Sequence, residues 1–230
     1  MTHPDSSQPR PPSPEGRPLA SPRREFIRNL SLAAVTGMLA SVRSPAQGGT
    51  SPASGALNPP SPFYLPPREP LAPGPGGLDI RTWVRSAQTN GQFSCVESAV
   101  APRQMGPAPH VHQDLDELMF VQEGTATVWM DGQVEEIKAG GWHLRPRRIP
   151  HTFWNGSDQP LRFIDMYFNQ NFEDFLEELF HRIVPDMMKS RLGPTDPGIA
   201  KRLDDLCRRF GVTMFPEKRQ ALVERYGLSG

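Results

Sequence analysis

The sequence predicts a mainly β protein, an antiparallel barrel or jelly roll that is followed by a helical extension. Two observations predict it. About eight short apolar segments with the alternation of strands follow one another between residues 78 and 168, separated by turn sequences such as Asp131-Gly132. After residue 168 the apolar residues recur at three and four positions, which is the period of a helix.

The strand segments are rich in β-branched and aromatic residues and end at Gly, Asn, Asp or Pro. Their regular spacing is typical of an antiparallel barrel. They cover residues 78–84, 93–100, 117–124, 125–130, 133–137, 142–144, 151–154 and 161–168, with a further alternating block at 109–112.

The pattern of apolar residues after residue 168 predicts three helices. The first covers residues 172–184 and ends before Pro185; the second starts at the Asp196 cap and stops at Gly211; the third covers 216–226. Their apolar faces favour packing against the barrel or a second subunit, which makes a homodimer a possible assembly. A lid over the barrel mouth is the alternative.

Four side chains form a pattern that suits a metal ion. His110 and His112 alternate on one strand face, Glu117 begins the next strand, and His151 begins a strand after a proline-marked turn. Neutral imidazoles with one carboxylate suit one divalent transition metal, namely Fe, Mn, Ni, Cu or Zn. The sequence does not decide between these metals.

The same residues resemble the two motifs of the cupin superfamily. The first motif falls on His110, His112 and Glu117 and closes at Gly124, and the second places its histidine at His151, within a run that starts at Gly140 and includes Pro146 and Asn155. The resemblance implies a cupin double-stranded β-helix over roughly residues 79–168, with one metal on these four side chains. Two loop glycines of the motifs are replaced here, by Gln104 and Arg148.

Other side chains compete for the metal or border the site. Asp114 and Asp116 lie near Glu117 but lack its spacing to Gly124, which favours a solvated loop. His143 alternates with Trp142 and Leu144, which predicts the outer strand face for it. Met105, Met119 and Phe153 share the parity of the ligand positions, so they line an apolar pocket or simply pack in the core.

The resemblance also implies chemistry. Quercetinase-like dioxygenases are similar cupins, and by that likeness Glu117 would be both metal ligand and catalytic base for a small phenolic or enolic substrate. The alternatives are a non-oxidative metal-dependent isomerase or lyase, and a cupin that binds metal or a small ligand without turnover. Arg148 would favour an anionic substrate if it points inward, although loop statistics favour solvent.

Residues 1–46 resemble a twin-arginine signal peptide. Arg23-Arg24 and Phe26 precede an apolar stretch at 29–40, which is too short to span a membrane, and small residues follow up to Ala46. The resemblance implies a bacterial protein exported by the twin-arginine machinery to the periplasm or beyond. No cysteine follows the stretch, so no stable membrane anchor is expected; the alternative is a basic helix of an intracellular protein.

The predicted organisation is therefore a signal peptide at 1–46, a Pro/Gly-rich flexible linker at 47–77, a barrel at 78–168 and a helical extension at 169–230. The chain has 25 basic and 25 acidic residues, which argues against a nucleic-acid partner. Cys95 and Cys207 are expected to be separate buried thiols, with a disulfide as the alternative.

Overall fold

The computed structural model describes residues 59–229, and ten strands form its main body. The signal peptide predicted at 1–46 lies outside these residues. The strands are β1 (Leu78–Val84), β2 (Phe93–Val100), β3 (His110–His112), β4 (Asp116–Glu123), β5 (Thr125–Met130), β6 (Gln133–Lys138), β7 (Trp142–Arg145), β8 (His151–Trp154), β9 (Leu161–Phe168) and β10 (Val212–Met214).

The strands form two five-stranded antiparallel sheets, in the orders β1-β2-β9-β4-β7 and β10-β3-β8-β5-β6. The mainly β class with a C-terminal helical part is confirmed. The sequence did not predict β10, which follows the second predicted helix and pairs along β3 with Val212 opposite His112. Three residues are too few for an alternating pattern to stand out, so only the tertiary structure identifies this strand.

The inner faces of the sheets carry the core. Strand β9 shows the reason, because every second residue is buried, from Leu161 through Phe163 and Asp165 to Tyr167. One cluster fills the barrel between β4, β5 and β9, with Met119, Val121, Ala126, Val128, Phe153, Leu161 and Phe163 among its members. The first helix packs on a second cluster, where Phe172, Phe175 and Ile183 meet Ile80, Val96, Leu115 and Tyr167.

The helices are α1 (Phe172–Glu178), α2 (Val184–Ser190), α3 (Pro197–Arg209) and α4 (Arg219–Tyr226). The prediction that the first helix ends before Pro185 was wrong. A π-helical turn at Leu179–Ile183 joins α1 to α2, and Pro185 falls in the first turn of α2, where its missing N–H is tolerated.

The ends of the other helices follow the sequence. The Asp196 side chain accepts hydrogen bonds from the backbone N–H groups of Gly198 and Ile199, at 3.0 and 3.2 Å, and starts α3. Gly227 ends α4 with a φ of 61°. None of the helices between residues 59 and 229 is long and apolar enough to cross a membrane.

The chain before β1 has no helix or strand from residue 59 to residue 77. Tyr64 is 80% exposed. The Leu71 N–H donates to Glu97 at 3.4 Å, and Arg81 donates to the Glu69 carbonyl oxygen at 2.9 Å, so residues 69–71 contact the outside of the first sheet.

Candidate metal centre

The structure brings together the four side chains that the sequence predicts as metal ligands. His110 lies directly opposite His151 in the β3–β8 pairing, and His112 follows two residues along β3. Glu117 comes from β4 in the other sheet. One ligand atom from each of the four lies within 4.8 Å of those of the others, and all four residues are buried.

Backbone carbonyls orient two of the imidazoles. The Nδ1 of His110 lies 2.9 Å from the carbonyl oxygen of Ala108, and the Nδ1 of His151 lies 2.9 Å from that of Ile149. A carbonyl oxygen only accepts, so each Nδ1 carries a hydrogen and each ring turns its Nε2 towards the centre. Burial and the neighbouring histidines lower the pKa of His110 well below its ordinary value, which keeps that ring neutral.

The side-chain atoms at the centre of the group are placed to bind a divalent cation and not to form hydrogen bonds with one another. The Nε2 atoms of His112 and His151 and the Oε2 of Glu117 are buried without a hydrogen-bond partner among the described residues. The Nε2 of His151 lies 2.8 Å from Glu117 Oε2 without hydrogen-bond geometry. Two ligand atoms that each lie about 2.1 Å from one metal are at most about 4.2 Å apart. The four candidate ligand atoms lie within 4.8 Å of one another, so a bound ion would draw the most distant pair together by roughly half an ångström.

Arg145 is the functional residue that the sequence reading missed. It lies opposite Glu117 in the β4–β7 pairing and is 1% exposed. Its Nε lies 3.3 Å from Glu117 Oε2, its Nη2 donates to Asp165 Oδ1 at 2.5 Å, and Tyr167 donates to Asp165 at 3.3 Å. A buried arginine therefore forms an ion-pair contact with the predicted glutamate ligand, without hydrogen-bond geometry between Arg145 Nε and Glu117 Oε2.

Charge around Glu117 decides its protonation. Burial by itself would raise the pKa of this carboxyl, but Arg145, His112 and His151 outweigh burial and hold the pKa well below its ordinary value. The pKa of Asp165 is raised, because burial and the nearby Glu117 charge exceed the effect of Arg145. Glu117 is thus the anionic ligand of the pair.

The two competing carboxylates point elsewhere. Asp116 accepts from Arg147 at 2.5 Å and from the Arg147 backbone N–H at 2.9 Å. Asp114 lies on the surface, 3.8 Å from Arg148. These contacts agree with the expectation that both residues belong to the loop.

His143 also stays outside the group of four, but the predicted reason was wrong. It lies opposite the buried Met119, on the same sheet face as Glu117 and Arg145. Trp142 and Leu144, which the sequence suggested as the inner pair, are 55% and 54% exposed. The imidazole of His143 instead approaches Glu135 at 3.6 Å. Strand β7 is a sheet edge, and the side that packs is chosen by its pairing with β4.

Arg148 takes the backbone shape of the glycine that it replaces. Its φ is +66°, in the left-handed region, and its N–H donates to the His112 carbonyl oxygen at 2.7 Å. The side chain is 73% exposed and donates to the Gln113 carbonyl oxygen at 3.2 Å. The turn next to His151 is therefore kept, and Arg148 points away from the centre.

A cavity of about 260 Å³ opens beside the centre, and His110, His112 and Glu117 border it. Of the three predicted pocket residues, Met105 and Phe153 line it, whereas Met119 packs in the core. Helix α1, the π-helical turn and the start of α2 supply an apolar wall, made by Phe172, Phe175, Leu176, Leu179, Phe180 and Val184. The extension thus packs on the barrel, as expected, and its residues also line the cavity.

Residues 96–167 match the family model described as the cupin domain. The match runs from β2 into β9 and contains all four clustered side chains, so it supports the cupin superfamily for this barrel. The class defined by fold and site is a cupin-domain protein with a buried histidine and glutamate group that could hold a metal ion.

No curated protein matches the sequence. Solved structures similar to this chain include KdgF from Halomonas sp., with 16% identity, 43% of this chain and 84% of that one covered, and a TM-score of 0.38. A double-stranded β-helix protein from Klebsiella pneumoniae has 22% identity, coverages of 43% and 83%, and a TM-score of 0.38. The polyketide cyclase RemF from Streptomyces resistomycificus has 27% identity, coverages of 43% and 70%, and a TM-score of 0.37.

Proposed function

We propose that the protein is an exported, metal-dependent enzyme of the dioxygenase type that acts on a small phenolic or enolic molecule. One observation carries the proposal: three imidazoles and one carboxylate converge beside a cavity that is otherwise lined largely by apolar side chains. A merely structural polar cluster would satisfy its buried atoms internally, whereas here three of the central atoms have no hydrogen-bond partner among residues 59–229.

His110, His112, Glu117 and His151 would hold the metal. When bound, a divalent metal supplies Lewis-acid activation of a substrate oxygen and, if it is redox-active, activation of dioxygen. The four side chains present one negative charge, so the occupied centre is cationic and attracts an anionic oxygen. Phe172 packs edge-on against His112, with ring centroids 4.9 Å apart, and holds this imidazole in place.

Glu117 is also the proposed base. Its pKa is held low by Arg145 and the histidines, so it binds a proton weakly and cannot take one from an ordinary alcohol. A phenol or an enol is far more acidic than an aliphatic alcohol, and a neighbouring cation increases that acidity. An acidic hydroxyl, such as that of a phenol or an enol, is the kind of group from which so weak a base would take a proton.

The apolar wall, which runs from α1 to the start of α2, would keep bulk water from the reacting atoms. Phe172 and Phe175 are buried and stack at 4.6 Å with an interplanar angle of 10°. A flat, largely apolar substrate suits such a surface. The volume of about 260 Å³ lies below the usual range for drug-sized ligands, which favours a small molecule.

Metal analysis tests the centre. Mature protein purified from its native compartment should contain close to one Fe, Mn, Ni or Cu, and His110→Ala/His151→Ala should lose it. The matched control is His181→Ala, because His181 is half exposed and lies outside the group. Wild-type protein with no metal, or a double variant that keeps it, would refute the centre.

Oxygen uptake then tests the reaction class. Metal-loaded protein should consume dioxygen in step with loss of a phenolic or enolic substrate, and it should stop without oxygen. Turnover that continues anaerobically and with zinc would instead support the non-oxidative isomerase or lyase.

Export is tested by cell fractionation, which measures how much of the protein reaches the periplasm. The predicted signal itself lies outside the described residues. Arg23→Lys/Arg24→Lys should keep the protein in the cytoplasm, whereas Arg10→Lys, upstream of the arginine pair, should leave export unchanged. Equal export of both variants would refute the twin-arginine route.

A further inference from the structure

The cavity is bordered by a positively charged side chain that is not one of the four candidate metal ligands. Arg219, the first residue of α4, borders the same cavity as His110, His112 and Glu117. Its guanidinium donates one hydrogen bond to the Gly106 carbonyl oxygen, at 2.5 Å. This is its one hydrogen bond within the described part of the chain, and an arginine has five N–H donors.

Among the residues that the structure describes, none provides a counter-ion for Arg219 in the cavity. The other formally charged groups that border the cavity are Glu117, Asp165 and Arg145, and the two carboxylates both contact Arg145. Burial lowers the pKa of Arg219, with no carboxylate among residues 59–229 opposing that effect. A half-buried guanidinium without an acidic partner is an unusual arrangement unless a ligand provides the anion.

The backbone around Arg219 is fixed in place. Gly106 donates to the Phe153 carbonyl oxygen at 3.0 Å, and a Cβ atom at Gly106 would lie 2.4 Å from that oxygen, so this approach requires glycine. Helix α4 is held by the packing of Tyr226 against Trp154, whose ring centroids lie 4.6 Å apart at an interplanar angle of 37°, and by the Met105 N–H, which donates to the Ser229 carbonyl oxygen at 2.9 Å. Arg219 is therefore preorganised.

We propose that Arg219 binds a carboxylate, or a similar planar anion, at the end of the substrate remote from the metal centre. Arg219 is tied to Gly106, and three residues separate Gly106 from His110, so the Cα atoms of Gly106 and His110 lie at most about 14 Å apart. The inference rests on the proposed function and narrows its substrate class to a small phenolic or enolic carboxylate. One end would face the histidines, and the other would form charge-assisted hydrogen bonds to the arginine.

Paired probes test the anion site. Binding of 4-hydroxybenzoate and 4-hydroxyphenylacetate is measured by calorimetry on the full mature chain loaded with Zn²⁺, beside the corresponding primary amides. Wild type should bind at least one acid about tenfold to hundredfold more tightly than its amide. Arg219→Gln should lose this preference, and Arg219→Lys should recover part of it. The matched control is Arg225→Gln, an exposed arginine on the same helix, which should behave as wild type.

Three results would overturn the proposal: equal binding of acids and amides by wild type, a preference that survives in Arg219→Gln, or no binding of any acid. Metal content is measured on every sample. Arg219→Gln should retain the wild-type metal content, because Arg219 is not among the clustered ligands. If wild type holds no metal, the proposed function fails, and the acid preference is still read on the metal-free protein.

Discussion

Replacing Arg145 with methionine should destabilise the metal-free protein strongly. The guanidinium is 1% exposed and lies against two carboxylates, with contacts of 3.3 Å to Glu117 and 2.5 Å to Asp165. Methionine keeps much of the apolar stem but leaves two buried acids without their cation. Removing one partner of a buried ion pair costs about 3 to 5 kcal/mol.

That loss is a large part of the total stability of a domain of this size. It corresponds to a fall in Tm of roughly 6 to 20 °C for a chain of 150 to 250 residues. Scanning calorimetry and urea unfolding of metal-free protein measure it. Arg145→Met/Asp165→Asn should be less destabilised than the two single changes added together, because the second change removes one of the unpaired acids.

The control is an exposed ion pair. Arg103 contacts Asp158 at 2.7 Å on the surface, so Arg103→Met should leave the Tm nearly unchanged. The reasoning is refuted if Arg145→Met costs less than about 1 kcal/mol, or if the double variant is strictly additive.

Three further predictions concern single residues. At position 148, Gly should be more stable than Ala by about 1 kcal/mol in urea unfolding, because the φ of +66° strains any side chain; equal stability would contradict the turn assignment. Burial alone would raise the pKa of Glu97, but Arg81, Trp83 and Arg162 together lower it. The ionised Glu97 therefore stabilises the folded protein fully above the unfolded pKa of 4.5. This contribution is lost as the pH falls towards the lower folded pKa. Glu97→Gln should flatten the fall of stability between pH ~6 and ~3, and an unchanged slope would exclude this role. Burial, aided by Asp165, raises the pKa of Cys95 to about 11, so alkylation at pH ~8 should be slow in the folded protein and fast in denaturant; rapid labelling of the native thiol would refute it.

The strands and the shared face of His110 and His112 could be read from the sequence because both depend on local periodicity, whereas Glu117 and His151 were predicted through the resemblance to the cupin motifs. Strand β9 alternates buried and half-buried residues along its whole length, and His110 and His112 share a face for the same reason. The two thiols were predicted to be separate and buried; Cys95 and Cys207 are both free in the structure, and each is only half-buried.

Two predictions were wrong, one for the inner face of β7 and one for the end of the first helix. Trp142 and Leu144 looked like the inner residues of β7, yet this edge strand turns its charged face inward because Arg145 pairs with Glu117. Pro185 looked like a helix end, but a π-helical turn carries the helix past it. In the first case a contact distant in sequence outweighed local preference, and in the second a local change in the helix did.

The sequence by itself determined the β class and placed His110 and His112 on one strand face, because spacing along a strand fixes which side chains share a face. The resemblance to the cupin motifs added Glu117 and His151 to that pair. Only the tertiary structure showed Arg145 beside Glu117, the apolar wall along the cavity and Arg219 bordering it. These groups come from segments far apart in the chain, and their mutual distances depend on packing, which no local pattern records.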